Sequence, residues 1–362
     1  MTEEVKVYRR HPLSPRLFHP DARALVTRFQ KRGHPTYFTG GAVRDLALRV
    51  YPRDVDIGTL ASDEVISAIL GLPSRAPGRV PRVLPDEQTL EIDVFPMRDP
   101  PWIAPRDWRA RPKSGDPSRD FAESFDFTIN GLLYDPAADT LIDYLGGMRD
   151  LELRQLRRVG DQHELFRKDP VSILRGVTLA SKLGLTLEAR TWEGMGRHVG
   201  DIATSNPARL GAHVIKLLTC RAAGKAIGLM RELGALPLFF PPAVVELLST
   251  EAGAGPTLRA LDGAPKAGLP VAVLFAALLD EPVRRACGRR GAAGRAEIVQ
   301  AEVAAFAARF RLSARTWSEV RELLTPSEGT HEASAASAAS EKKKKRRAGQ
   351  DARLAFRAIV DT

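Results

Sequence analysis

A glycine pair, Gly40-Gly41, stands between a β-rich run, PTYFTG, and a helical run, AVRDLALRV, and the β-rich VDIGTL follows within twenty residues. A strand that turns on glycines into a helix and returns as another strand demands an α/β layer, because the helix must bury its apolar stripe on a sheet. The neighbouring segments fit that layer. Residues 20–32 (PDARALVTRFQKR) predict an amphipathic helix with Ala22, Leu25, Val26 and Phe29 on one face. ASDEVISAILG predicts a helix capped by Ser62 or Asp63, and TLEIDVFPM a third strand. FTINGLLYD and TLIDYLGG predict two more strands around a turn at Pro136–Asp139. The Pro-, Trp- and Arg-rich residues 98–120 predict a mobile loop, with Trp102 and Trp108 packing onto the head.

Beyond residue 150 the apolar period changes to that of helices, in LFRKDPVSILRGVTLASKLGL, PARLGAHVIKLLTC, AGKAIGLMRELGAL and about residues 269–324. After Pro326 a Ser/Ala/Glu-rich stretch leads to the basic run Lys342–Arg347, which predicts a disordered arm, and ARLAFRAIV closes the chain. The domains expected are an α/β head over 1–150, a helical neck over 151–240, a helical body and tail over 241–326, and the arm over 327–362.

The formal net charge is +10, but Lys342–Arg347 alone supplies six of those charges, so the remainder is only mildly basic. A polyanionic partner is compatible with this and not demanded by it. Cys220 and Cys287 are the only cysteines and have neither zinc spacing nor a disulfide framework. None of the seven histidines falls in a metal-binding cluster, so no zinc is expected. The opening MTEEVKVYRRHPLSP has no signal-type apolar core, and the apolar stretch LPVAVLFAALL is too short for a bilayer and ends at Asp280 and Glu281. A cytoplasmic protein with no membrane partner is expected.

Chemistry concentrates in the head. Asp54 and Asp56 are two apart on a strand, so both carboxylates project from one face and repel unless a cation lies between them. Glu91-Ile92-Asp93-Val94 repeats the alternation, so Asp93 is a candidate third carboxylate for the same metal. Oxygen donors of this kind suit Mg²⁺, which takes a few carboxylates together with phosphate oxygens and water. Gly40 and Gly41 allow backbone N–H groups to approach a phosphate at a helix N-terminus, and Arg44 on the first turn has a fork suited to phosphate oxygens.

GGAVRD followed by DVDIGT, FTINGLLYDP, LIDYLGGMRDLELRQLRRVGD and LFRKDPVSILRGVTLASKLGL resembles, in order and spacing, the class II tRNA nucleotidyltransferase (CCA-adding enzyme) and bacterial poly(A) polymerase family, over roughly residues 35–240. The resemblance implies an α/β head of the polymerase β-like nucleotidyltransferase type with a mixed sheet, followed by an all-α neck, body and tail. It implies attack of an RNA 3′-hydroxyl on the α-phosphate of ATP or CTP with release of pyrophosphate, in tRNA CCA addition or poly(A) tailing. Asp54 and Asp56 match the catalytic metal carboxylates, and Gly40, Gly41, Arg44 and Asp45 the phosphate-binding turn with its helix. Asp126 and Asn130 match the pair that contacts sugar and triphosphate, and Asp143, Gly146 and Gly147 the hinge between head and neck. Asp169 matches the acid that reads the incoming base, and Arg175 on the same stretch is counted with the nucleotide-binding residues.

The family pattern is also broken. Ser124 and Phe125 replace two arginines before Asp126, Lys168 replaces the Glu before Asp169, and Ser172 replaces the Arg that follows it. A later family helix reads Ala208-Arg209 to His213 and lacks both its acids. The metal face is whole and the base-reading face is eroded. Two readings stand at this point. One is an active enzyme with relaxed nucleotide choice, compensated by Arg119, Arg167 or Lys168. The other is a degenerate relative that binds RNA or nucleotide without turnover.

Overall fold

The computed structural model describes residues 4–52, 54–72, 82–83, 91–100, 113–249, 270–290, 295–307 and 313–325, with isolated positions between 255 and 262. The basic arm, ARLAFRAIV, Trp102 and Trp108 lie outside the described residues. The chain divides into two compact units. The first takes residues 1–162 and 186–191, and the second residues 163–185 and 192–362.

The first unit is built on a mixed sheet. Its strands are β1 (Lys6–Tyr8), β2 (Thr36–Thr39), β3 (Asp54–Thr59), β4 (Arg82–Val83), β5 (Glu91–Pro96), β6 (Leu133–Asp135) and β7 (Thr140–Asp143), in the spatial order β1-β7-β6-β2-β3-β5-β4. Only β3 and β5 run parallel, joined through helix Asp63–Leu70, while every other neighbour is antiparallel. Alternation along β3 decides its orientation: Val55 and Ile57 are buried whereas Asp54 is exposed and Asp56 intermediate. Ile92 and Val94 of β5 are buried in register with Val55 and Ile57, so the apolar sets of both strands face the core together.

The expected first helix is α1 (Pro20–Gln30), with Ala22, Leu25, Val26 and Phe29 all buried. At the entry to it Phe18 stacks on Phe38 of β2 with ring centroids 3.9 Å apart, and on Tyr134 of β6 at 5.5 Å. Helix α2 (Gly40–Ala47) starts directly on the glycine pair, and α3 (Asp63–Leu70) is capped by Ser62, whose Oγ accepts from Val65 N–H.

Three expectations for this unit are corrected. FTINGLLYD is not one strand, since Thr128–Asn130 is a 3₁₀ turn and β6 begins only at Leu133. Local bonds from Asn130 N to Phe127 O and from Gly131 N to Thr128 O take the place of a ladder there. The loop expected over 98–120 ends in α4 (Pro117–Ala122), with Asp116 Oδ1 accepting from Ser118 N–H and Pro117 at the first helical position. The division expected near residue 150 falls inside α5 (Gly147–Glu152); the unit runs on to Gln162 and includes Thr186–Thr191, because β8 (Gln155–Leu156) pairs in parallel with β9 (Thr186–Leu187).

The second unit is helical. Its framework includes α6 (Gln162–Lys168), α7 (Val171–Leu183), α8 (Ala189–His198), α9 (Pro207–Thr219) and α10 (Ala223–Glu232). Further along come α11 (Leu236–Phe239), α12 (Pro242–Ser249), α13 (Val271–Arg290), α14 (Arg295–Ala307) and α15 (Ala314–Leu324). Val171, Ile173, Leu174, Val177 and Ala180 of α7 are buried, as are Leu210, Val214, Leu217 and Leu218 of α9. In α13 every residue from Ala272 to Leu279 is buried, which marks it as the helix around which its neighbours pack. Among the described residues no helix is long and apolar enough to cross a membrane, and neither Cys220 nor Cys287 is in a disulfide.

Asp143, at the end of β7, fixes how the sheet leaves for α5. Its Oδ1 accepts from the N–H groups of Leu145 and Gly147 and its Oδ2 from Met148, each at 3.0 Å. With Asp143 only 1% exposed, removing the carboxylate strands three donors away from water. Asp143→Ala is expected to cost about 2–4 kcal/mol of stability, checked by chemical denaturation; a loss within experimental scatter would show that the anchor is idle.

Candidate active site

Antiparallel pairing of β2 with β3 sets Thr39 opposite Asp56, and parallel pairing of β3 with β5 sets Asp93 on the other side of Asp56. The chain leaves β2 through Gly40 at φ +67°, a left-handed conformation that side chains resist. A Cβ at Gly40 would collide with the Asp56 carboxylate, so the bare glycine is what lets that carboxylate lie against the turn. Gly41 N–H, at the start of α2, donates to it. Burial, then the negative charges of Asp54 and Asp93, push the Asp56 carboxyl up to about 7, while the Gly41 N–H and the Arg44 cation pull the other way.

The structure therefore gathers Gly40, Gly41, Asp54, Asp56 and Asp93 at one end of three adjacent strands. Among the described residues, however, no three His, Cys, Asp or Glu side chains close on one point as a ready-made cage. Asp56 turns in toward the glycines while Asp54 stays exposed. A hard cation of the Mg²⁺ kind does not require a cage, since it keeps water and takes phosphate oxygens from its substrate.

The expected phosphate and sugar contacts form one hydrogen-bonded chain. Arg44 is buried and its fork is already engaged: Nε donates to Asp45 Oδ1 at 2.7 Å, Nη2 lies 2.6 Å from the same oxygen, and Nη1 donates to Asn130 Oδ1 at 2.7 Å. Asn130 in turn donates from Nδ2 to Asp126 Oδ1 at 2.9 Å, an oxygen that also accepts from Phe127 N–H. The sequence picks out these four residues separately; the fold links them across 86 positions. Asp45 holds Arg44 rather than facing outward, and a guanidinium has five N–H groups, so its terminal nitrogens retain donor capacity beyond these contacts.

Arg158 is a part of this region that the sequence does not single out. It is buried, donates from Nη1 to the Asp126 carbonyl at 2.7 Å, and lies 5.7 Å over the Phe127 ring. Its neighbour Arg157 donates from Nε to both oxygens of Asp150 and from Nη2 to the Leu145 carbonyl. The only sequence signal for either is the Arg pair in LRRVGD. Asp143, Gly146 and Gly147, expected as a hinge between head and neck, all lie within the first unit instead, where Asp143 ties down the start of α5.

A second cluster stands by itself in the helical unit. Asp169 lies between two arginines, with Oδ2 2.8 Å from Arg175 Nη2 and Oδ1 3.1 Å from Arg209 Nη2. Ser172 turns its hydroxyl back to the Asp169 carbonyl at 2.6 Å, as residues at helix starts do, and so does not stand in for an arginine. His213 is held neutral, its pKa lowered to about 4 by burial and then by Arg175, Lys216 and Arg209. Two of the three expected compensating cations have partners on their own helices: Lys168 pairs with Glu164 at 2.6 Å, and Arg119 lies 4.0 Å from Glu123. Ser124 and Phe125 serve the fold, Ser124 donating to the Phe121 carbonyl and Phe125 meeting the Phe121 ring edge-on.

A model of the poly(A) polymerase head domain matches residues 36–157, and a second model, described as "Probable RNA and SrmB- binding site of polymerase A", matches residues 184–246. Together they take in about half of the chain. The chain belongs to the poly(A) polymerase and CCA-adding enzyme family. Poly(A) polymerase I of Escherichia coli O6:H1 is 30% identical over 263 residues, covering 70% of this chain and 56% of that protein. Poly(A) polymerase I of Haemophilus influenzae is 30% identical over 242 residues (63% and 53%), and the CCA-adding enzyme of Bacillus licheniformis 32% over 219 (59% and 53%). The chain spans about half the length of these relatives. The CCA-adding enzyme of Bacillus stearothermophilus, solved in complex with CTP, shares the fold with a TM-score of 0.60 at 21% identity, over 94% of this chain and 78% of that one. Within the family frame, the carboxylate face and the Arg44 chain lie inside the head match, whereas Asp169 and Arg175 fall between the two matched segments.

The turn can be tested without any assay of activity. Gly33 has φ +80° and open space around it, so Gly33→Ala measures the backbone cost alone, about 1 kcal/mol. Gly40→Ala is expected to exceed it by at least about 1 kcal/mol, because Asp56 must also move. Equal losses in urea denaturation would show that Asp56 is not seated on the glycine.

Proposed function

We propose that this chain is a template-independent RNA nucleotidyltransferase, in which an RNA 3′-hydroxyl oxygen bonds to the α-phosphorus of a nucleoside triphosphate and pyrophosphate leaves. The observation that carries the reading is the Asp56 carboxylate, set beside Asp54 and Asp93 and fitted into the cleft left by Gly40. Carboxylates crowded in this way, with only oxygen donors, fit a hard divalent cation such as Mg²⁺ better than any softer metal. Such an ion, held by Asp54 and Asp56 with Asp93 beside them, would supply Lewis-acid chemistry, acidifying the hydroxyl and neutralising charge on the phosphates.

The other residues bind and orient. The glycine turn and the N-terminus of α2 offer backbone N–H groups and a favourable field to the triphosphate. Arg44 is held by Asp45 and Asn130 in one rotamer, so its remaining N–H groups are aimed before substrate arrives. Asn130 and Asp126 provide acceptors and donors suited to ribose hydroxyls. Asp169, Arg175 and Arg209, with neutral His213, form the polar set that selects the base, in place of the family's trio. ATP is the principal donor on this reading, with CTP the second substrate if the RNA is a tRNA lacking its CCA end. RNA and nucleoside triphosphates meet in the cytoplasm, where the reaction belongs.

The observation that favours a second reading, binding without turnover, is the absorption of Ser124 and Phe125 into the fold where the family places arginines. Incorporation of labelled ATP or CTP into a tRNA lacking CCA and into a generic RNA, with Mg²⁺, separates the two. Asp54→Ala is expected to lower incorporation by about a hundredfold or more with the circular dichroism spectrum intact. An Asp54→Ala protein as active as the wild type would overturn the catalytic assignment, and a wild type that binds RNA but incorporates nothing would leave the second reading in its place.

A further inference from the structure

A groove of about 500 Å³ opens on the first unit, lined by Pro15, by Arg23, Thr27, Gln30 and Lys31, and by Pro136 and Ala137. The four middle residues stand at i, i+4, i+7 and i+8, a single stripe along α1 and its C-cap, so one helix face forms the floor. The two prolines wall it from the loop before α1 and from the β6–β7 turn. No acidic residue lines it.

The polar groups of the lining are unevenly used. Arg23 Nε is buried and has no hydrogen-bond partner among the described residues. Lys31, exposed at the end of α1, has no ion pair among the described residues. Gln30 spends its amide N–H groups on the Thr36 carbonyl and Asp135 Oδ1, which leaves its Oε1 as an acceptor. Thr27 donates its hydroxyl hydrogen to the Arg23 carbonyl, which leaves lone pairs on its oxygen. The acid behind Gln30, Asp135, is already engaged by the Gln30 amide and by the N–H groups of Ala137 and Ala138.

The groove thus offers cations at its two ends, about 12 Å apart along the helix, acceptors between them, and rigid apolar walls. A phosphate needs the first, ribose or base N–H and O–H groups the second, and a base face the third. We propose that this groove binds a two-nucleotide stretch of an RNA strand, with its outer phosphates at Arg23 and Lys31 and its nucleosides between them against Pro15 and Pro136. Two separated cations fit a repeating backbone better than a single free nucleotide, whose phosphates cluster at one end. The inference goes beyond the proposed reaction and holds whether or not the chain turns over nucleotide.

The test is equilibrium binding of the full chain, using a labelled single-stranded oligoadenylate in one arm and AMP in the other. Arg23→Glu/Lys31→Glu is expected to weaken oligoadenylate binding about tenfold at low salt, with a shallower salt dependence, and to leave the number of AMP bound per chain unchanged. Lys31→Glu alone, at an exposed position, should give part of the loss with the melting temperature held, which guards against a folding artefact. Unchanged oligoadenylate affinity in both variants would overturn the proposal. Loss of one AMP per chain with oligoadenylate binding unaltered would also overturn it, since the groove would then serve free nucleotides.

Discussion

Asp54 and Asp56 of β3 and Asp93 of β5 stand side by side next to a glycine turn, and the seating of the Asp56 carboxylate against Gly40 is the constraint to which this end of the sheet is accommodated. Asp56 is the acute case. It is partly buried, flanked by Asp54 on its own strand and by Asp93 in register on β5, and Gly41 N–H and the Arg44 cation oppose their charge. The sheet around them is otherwise apolar and well packed, with Val55, Ile57, Ile92 and Val94 buried beneath the charged edge.

The same economy recurs at Arg44. A buried guanidinium is costly unless its N–H groups find acceptors, and here Asp45 and Asn130 supply them. The cation is held still while some donor capacity remains, which is the condition for binding an anion without reorganisation. In the helical unit Asp169 is treated in the converse way, a carboxylate held between Arg175 and Arg209. The two clusters share one principle: a polar side chain is made rigid by neighbours that do not exhaust it.

Much of this was legible in the sequence because the signals are local. The alternation of Asp54-Val55-Asp56 and of Glu91-Ile92-Asp93 states which side chains share a face, and the parallel register confirms it. Gly40-Gly41 announces a turn, and Ala22, Leu25, Val26 and Phe29 announce the buried stripe of α1. What stayed hidden is non-local or depends on competition for hydrogen bonds. FTINGLLYD has the composition of a strand, yet Asn130 bonds to Arg44 and Asp126 while Thr128 bonds to Asp150, and these contacts hold a 3₁₀ turn. The pairing of Asp169, between α6 and α7, with Arg209 of α9 joins residues 40 positions apart, and no spacing rule reaches it. Lys168 looked like spare positive charge until Glu164, one turn earlier on its own helix, was seen to hold it.

If the carboxylate face is a cation site, its charge should destabilise the metal-free protein and be relieved by Mg²⁺. The decisive measurement is the melting temperature of wild type and Asp56→Asn, each in chelator and in millimolar Mg²⁺. The account predicts that Asp56→Asn melts higher than wild type in chelator, and that Mg²⁺ raises wild type while leaving the variant nearly unmoved. A wild type indifferent to Mg²⁺, together with an Asp56→Asn protein that melts lower, would contradict it.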